Sequence, residues 1–383
     1  MFVSLIGTWI QWVAQSWLIF QLTNSSFLLG LVGFLSSIPM FILSLFGGVV
    51  ADRANKRLIL IVTQSAFMLL AFLLAYLTQV KLVTPGQIMV IATLNGIIMA
   101  FDAPSRQAMV VELVGKKHLM NAIALNSVSF NASRIIGPAL AGVLVAGIGM
   151  SGCFYLNGIS FLAVLVALVV IKLQAHAKPF KNNSALKDLL EGISFIKGNR
   201  VIVVLICIVG VSSLFGVSYV ILMPVFAHDI LHVGIKGLGI LMSSSGMGAL
   251  IGALALARLG DFPYKGKLLM FSSLLFSCSL VGFALSKSFF FSCLILLCLG
   301  GSSVVAMALV NTLLQTMVED EFRGRVMSAF MLTFAGFMPF GNLLSGVVAH
   351  AFGVSLTVLL NGIICTFLFL VINLAFPQVR TLR

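Results

Sequence analysis

Apolar residues along this chain fall into twelve long runs separated by short polar breaks. The runs cover roughly 1–22, 27–51, 58–80, 85–101, 121–146, 151–171, 201–222, 237–258, 267–286, 289–316, 326–350 and 354–376. Nearly all reach the ~20 residues that a helix needs to cross the hydrocarbon core of a bilayer. Lipid leaves only helices and closed barrels with every backbone polar group satisfied, and barrels show short alternating strands instead. The pattern therefore predicts an all-α polytopic membrane protein with twelve transmembrane helices. The first run lacks the basic start of a cleavable signal. It begins at Met1 with no cytoplasmic lead-in, which points to a truncated or misassigned start.

Composition narrows the class. Sixty per cent of the 383 residues are hydrophobic and 9% are charged, against about 25% charged in an ordinary soluble domain. So few charges cannot cover a soluble surface, which excludes a soluble enzyme, a nucleic-acid binder and a disordered chain. The net charge of +13 is a matter of topology. Nineteen of the 23 Lys and Arg fall in the loops after runs 2, 4, 6, 8 and 10 and in the C-terminal tail, three fall in the opposite loops, and Arg134 is inside a span. The positive-inside rule makes the nineteen cytoplasmic, and both termini with them. The expected location is a bacterial inner membrane. The six cysteines all lie in apolar runs and read as small packing residues.

The longest polar stretch, 172–200, divides the runs six and six. Its first part reads as a linker. Ser184 to Lys197 reads as an amphipathic helix with Leu186, Leu189, Leu190, Ile193 and Ile196 on one face. The expected domains are 1–171, 172–200 and 201–383. An internal similarity joins the halves: the segment from Gln107 to Lys117 matches that from Gln315 to Arg325 at a spacing of 208. Parallel repeats of this kind mark transporters with a midplane site.

Several motifs carry chemistry. The loop after run 2 reads Gly48-Val-Val-Ala-Asp52-Arg53-Ala-Asn55-Lys56-Arg57. Gly48 is expected to permit close helix approach, and Asp52 sits at a helix terminus. Run 5 carries Arg134-Ile-Ile-Gly137-Pro138-Ala-Leu-Ala-Gly142. There Pro138 removes a helix hydrogen bond and the glycines admit a neighbouring helix. The first stretch resembles motif A of the major facilitator superfamily, with Asn55 in place of a glycine, a residue that also tolerates a left-handed turn. The second is similar to motif C of its drug-antiporter branches. Further wording, from Gly7-Thr-Trp9-Ile-Gln11 through Phe101-Asp102-Ala-Pro104-Ser-Arg106-Gln107 to Asn121-Ala-Ile-Ala-Leu-Asn126-Ser, resembles the enterobactin-exporter-like branch over nearly the whole chain. That resemblance implies two six-helix bundles, a cytoplasmic latch at motif A, and proton-driven export by alternating access. It does not specify the substrate.

Arg134 is the only charge deep in any span, and such a charge marks function by default. Ser127, Asn131, Arg134 and Pro138 share one helical face. With Gln11 and Gln15 of run 1, Ser127, Asn131 and Arg134 form the expected substrate-binding set, and a guanidinium suits an anionic or catechol-rich small molecule. Arg134 also fits a structural role, bonded to carbonyls or to a neighbouring helix. No Asp or Glu lies deep in a span. Asp102, near a span edge and four residues from Arg106, is the candidate proton-coupling group, and the same spacing fits a simple ion pair. His228 and His232 have metal-ligand spacing but read as a solvated loop, so no metal or other cofactor is expected. No Walker A pattern occurs. The chain reads as a monomeric secondary exporter of a siderophore or amphiphilic compound, with protons and membrane lipids as its other partners and no nucleic acid. A broad multidrug pump stays open as an alternative. An enzyme or scramblase is less well supported, since the spans supply one Arg and no carboxylate.

Overall fold

The computed structural model describes residues 1–171 and 194–382, save the side chains of Leu45, Asp52, Val111, Lys116 and Lys117. The expected amphipathic helix from Ser184 lies outside the described residues except at its end, where 194–198 are helical and Ile196 is buried. The described residues are almost wholly α-helical. In chain order the helices are α1 (Phe2–Thr23), α2 (Ser26–Arg53), α3 (Lys56–Gln79) and α4 (Pro85–Gly115). Then come α5 (116–148), α6 (150–170), α7 (Arg200–Ile230) and α8 (Gly234–Leu259). Last are α9 (Lys265–Leu285), α10 (Phe289–Met317), α11 (Asp320–Phe352) and α12 (Val354–Ala375).

Eleven stretches among the described residues are long and apolar enough to cross a membrane, against twelve runs in the sequence. The difference lies in His118–Val170, 53 residues that hold runs five and six together. That stretch is not one rod. Gly149 adopts φ 74°, ψ 176°, which breaks the helical path between α5 and α6.

Helix starts follow local chemistry. Ser25 accepts a hydrogen bond from Leu28 N–H to cap α2. Thr84 and Gln87 form a reciprocal capping box at α4, with Pro85 in the first turn. Asn199 caps α7 by accepting from Val201 and Ile202. Asn55 caps α3 by accepting from Leu58 N–H, with φ −68°. The left-handed turn that asparagine tolerates is not used at Asn55, which is an extended cap residue.

Two compact units emerge, Met1–Phe180 with Val233–Ser243, and Lys181–His232 with Ser244–Arg383. In the first, α3 lies against α4 and α6. Leu60, Met109 and Leu168 form a small buried cluster there, and Phe67 stacks on Phe161 at 5.6 Å. In the second, α9 lies between α10 and α12, and Gly362 of α12 abuts Val281 of α9.

The two units repeat each other with a spacing of 204. Gly96, Gly137, Gly149, Asn157 and Gly158 recur as Gly300, Gly341, Gly353, Asn361 and Gly362. The repeat is structural as well. A Cβ on Gly96 would lie 2.4 Å from the Ser36 carbonyl oxygen, and one on Gly300 would lie 1.9 Å from that of Ser245. Gly149 and Gly353 both have positive φ. This spacing differs from the 208 of the polar segments by one helical turn.

Candidate functional site

The glycine-proline segment of α5 is wedged between α1 and the first turns of α8. A Cβ on Gly137 would lie 2.4 Å from Trp9 Cβ, and one on Gly142 would lie 3.1 Å from the Ile235 carbonyl oxygen. From the other side, a Cβ on Gly239 would meet the Pro138 carbonyl oxygen at 2.4 Å. Ser243 of α8 donates to the Ile135 carbonyl at 2.7 Å, just before the proline. Gly137, Pro138 and Gly142 thus all lie at close backbone approaches between helices.

One turn along, the same helix presents its polar stripe. Ser127 is exposed, Asn131 and Arg134 are half-buried, and Pro138 is buried by α8. Asn131 donates from Nδ2 to the Ser127 carbonyl at 2.8 Å and reaches its Oγ at 3.5 Å. Arg134 stands near the middle of α5, about 27 Å from its start at ~1.5 Å per residue. Among the described residues its guanidinium has no hydrogen bond or ion pair. Phe130, one turn before it, meets Trp9 of α1 edge-on at 6.2 Å, and Trp9 meets Trp12 at 5.9 Å. This aromatic group beside Arg134 was not anticipated. Trp9 is marked by its position opposite Gly137.

The α1 candidates part ways. Gln15 is half-buried. Gln11 is buried and accepts a hydrogen bond from Asn157 Nδ2 of α6 at 2.6 Å. Asn157 in turn is held by Ser160, whose hydroxyl donates to its carbonyl at 2.7 Å. Gln11 is therefore engaged in a helix–helix contact, away from the stripe of α5. The second unit has a matching polar knot, where Asn361 donates to Ser218 and Ser345 at 3.2 and 3.0 Å.

Asp102 is fully buried. Thr63 and Gln64 of α3 both donate to its Oδ1 at 2.8 Å, and Arg106 binds its Oδ2. The expected pair with Arg106 is present, and the two α3 donors are additions. Thr63 and Gln64 are polar residues in an otherwise apolar run, which is the signal that could have found them.

The motif A segment stitches helices together at the basic end of this unit. Lys56 pairs with Glu112 of α4 at 2.7 Å, and Arg57 donates to the Val169 carbonyl of α6 at 2.6 Å. Arg53 is exposed, and the Asp52 side chain lies outside the described residues. The expectation for Gly48 needs correcting. A Cβ there meets nothing, whereas one on Gly47 would lie 1.9 Å from the Ala100 carbonyl oxygen. Gly47 is the close-approach residue, because it is the one that faces α4. His228 binds Asp229 at 2.6 Å, and no group of three metal-ligating side chains occurs among the described residues.

Comparison with known proteins agrees with this architecture. The chain is 30% identical to the staphyloferrin A transporter of Staphylococcus aureus, covering 97% of this chain and 94% of that one. It is 26% identical to the enterobactin exporter of Shigella boydii, covering 85% and 77%. Its fold matches the crystal structure of the nucleoside transporter NupG with a TM-score of 0.78 at 13% identity, over 100% of this chain and 98% of that one. The profile of the transmembrane secretion effector family matches residues 1–382. The chain belongs to that family of major facilitator transporters, and is a multi-pass membrane transporter rather than an enzyme.

Proposed function

We propose that the protein exports a small organic anion, a siderophore as the leading class, from the cytoplasm by alternating access coupled to proton entry. The observation that carries this reading is Arg134, a cation in the middle of a membrane-spanning helix without a described partner. A permanent guanidinium in such a place is costly and is matched by an anionic group that comes and goes. Ser127 and Asn131 on the same stripe supply hydroxyl and amide groups for orientation, with Gln15 as a further contact. Two relatives are siderophore transporters by name, which supports the cargo class. Asp102 is the coupling group in this reading, and the segment from Asp52 to Arg57 is the gate. The chain crosses the inner membrane twelve times as a monomer, with Gly149 as the break between crossings five and six. Its basic loops and both termini face the cytoplasm.

The test is uptake of a labelled catecholate siderophore into everted vesicles under an imposed proton gradient, with Arg134→Gln and Arg134→Lys at equal expression. Gradient-driven uptake that falls at least tenfold in Arg134→Gln, and is partly kept in Arg134→Lys, supports the reading. Uptake unchanged in Arg134→Gln removes Arg134 from the site. No uptake by folded wild type removes the catecholate class and turns the search to a panel of drug-like amphiphiles.

A further inference from the structure

Within the second unit, α8 and α10 touch backbone to backbone over one stretch and part over the next. A Cβ on Gly248 would lie 1.8 Å from the Leu297 carbonyl oxygen, and one on Gly252 would lie 2.5 Å from that of Gly301. Beyond Gly252 the close glycine contacts between α8 and α10 stop. Leu256 and Val304 follow, and the helices enclose a groove of about 330 Å³. The first unit shows what a closed version looks like. Val304 corresponds to Ala100 at the spacing of 204, and Leu256 corresponds to Gly47 at the spacing of 209 that relates Ser245 to Ser36. Gly47 and Ala100 are in tight contact. Larger residues at the equivalent positions hold the second pair apart.

The groove has a chemical polarity. Its walls are mostly apolar, with Ala253 and Ala257 on α8 and Ala308 and Leu309 on α10, and Thr312 adds one hydroxyl. Its mouth, at the basic end of the helices, carries Phe262 and Lys265. The Lys265 side chain is only 11% exposed, yet its ammonium pairs with Asp261, which is 93% exposed. Arg258 in the last turn of α8 and Lys267 in the first turn of α9 flank it in sequence, so this end of the two helices carries three cations and one carboxylate. An apolar slot in a membrane protein, closed at one end by glycine contacts and opened at the other on a lysine, has the form of a lipid headgroup site. Basic pockets between membrane helices at this level recognise anionic headgroups.

We infer that this groove binds one anionic phospholipid, with an acyl chain between α8 and α10 and the phosphate on Lys265 in exchange for Asp261. A zwitterionic lipid would bring a second cation to a connection that already carries an excess of them. A free phosphate would leave the apolar walls unfilled. The inference rests on the membrane-spanning fold and not on the export reading, so flux assays on the same variants keep the two apart.

The test is native mass spectrometry of the purified full chain in detergent, with phosphatidylglycerol or phosphatidylcholine added at equal concentration. Wild type should retain one phosphatidylglycerol in at least about fivefold preference, the worth of a single lysine at an anionic surface. Lys265→Gln should lose the headgroup preference but still hold lipid. Ala308→Phe, which fills the slot and leaves the charges intact, should retain neither. Asp261→Asn, which frees Lys265, should hold phosphatidylglycerol as well as wild type or better, and this variant guards against a loss caused by misfolding. Equal retention of the two lipids by wild type would overturn the inference. So would full phosphatidylglycerol binding by a monodisperse Ala308→Phe protein, or displacement of the lipid by millimolar inorganic phosphate.

Discussion

Gly137 of α5 faces Trp9 of α1 so closely that a Cβ on the glycine would lie 2.4 Å from the tryptophan Cβ. Neither atom is at the flexible end of a side chain, so relief requires the helices to separate. Gly137→Ala should destabilise the protein by about 1–3 kcal/mol, the usual cost of overpacking. The check is the unfolding temperature of detergent-purified protein. Gly137→Ala with Trp9→Ala should still lie below wild type, because alanine at position 9 keeps the Cβ that meets the new methyl.

Gly47 and Gly48 offer a sharper contrast, because they are neighbours with opposite surroundings. Gly47→Ala drives a methyl into the Ala100 carbonyl and should lower stability by about 1–3 kcal/mol. Gly48→Ala meets open space and should be neutral, or gain about 0.5–1 kcal/mol from the helix propensity of alanine. Thermal unfolding of the two variants side by side decides it. A loss in Gly48→Ala equal to that in Gly47→Ala would contradict the helix phase seen here.

The sequence showed the helices and the odd charge, and it hid the phase of each helix. A Gly-Gly doublet does not say which glycine faces the neighbour, since that depends on rotation about the helix axis. Arg134 was legible as a candidate because a charge deep in an apolar run is rare and costly. The surroundings of Asp102 were only half legible. Its partner at i+4 is written in the local sequence, but Thr63 and Gln64 reach it from 39 and 38 residues away. The contact of Gln11 was hidden for the same reason: its partner Asn157 is 146 residues distant. The spacing of 204 was readable in the Leu156-Asn157-Gly158-Ile159 and Leu360-Asn361-Gly362-Ile363 segments, and it marks those asparagines as packing residues.

Asp102 should be intolerant of apolar replacement. Asp102→Leu strands Arg106 and two α3 donors, and removing one partner of a buried ion pair costs about 3–5 kcal/mol. Asp102→Leu combined with Arg106→Leu should recover part of that loss. A double-mutant cycle on unfolding free energy reads the coupling, and strict additivity would argue against a working pair.

Asp261 sets a small pH dependence. The hydrogen bond and charge of Lys265 hold its carboxyl below the usual carboxylate range. A lowered folded-state value means that the pair contributes stability above the ordinary aspartate value of about 3.9. That contribution disappears as pH falls through the lower folded-state value. Asp261→Asn should therefore unfold slightly earlier than wild type near neutral pH and together with it at about pH 2. The carboxylate is exposed, so the gap should be small. A gap that widens on acidification would reverse the assignment.

Gly149 decides a matter of parity. Its φ of 74° with ψ of 176° belongs to a region that essentially only glycine occupies. Were the residue forced into helical angles, His118–Val170 would become a rod of about 80 Å, against a hydrocarbon core of about 30 Å. In the twelve-crossing reading proposed above, one crossing would vanish, and every later loop would emerge on the opposite face. The basic connection from Arg258 to Lys267 would then have to be carried across the membrane. In that reading a single missing methyl group keeps the later helices the right way up.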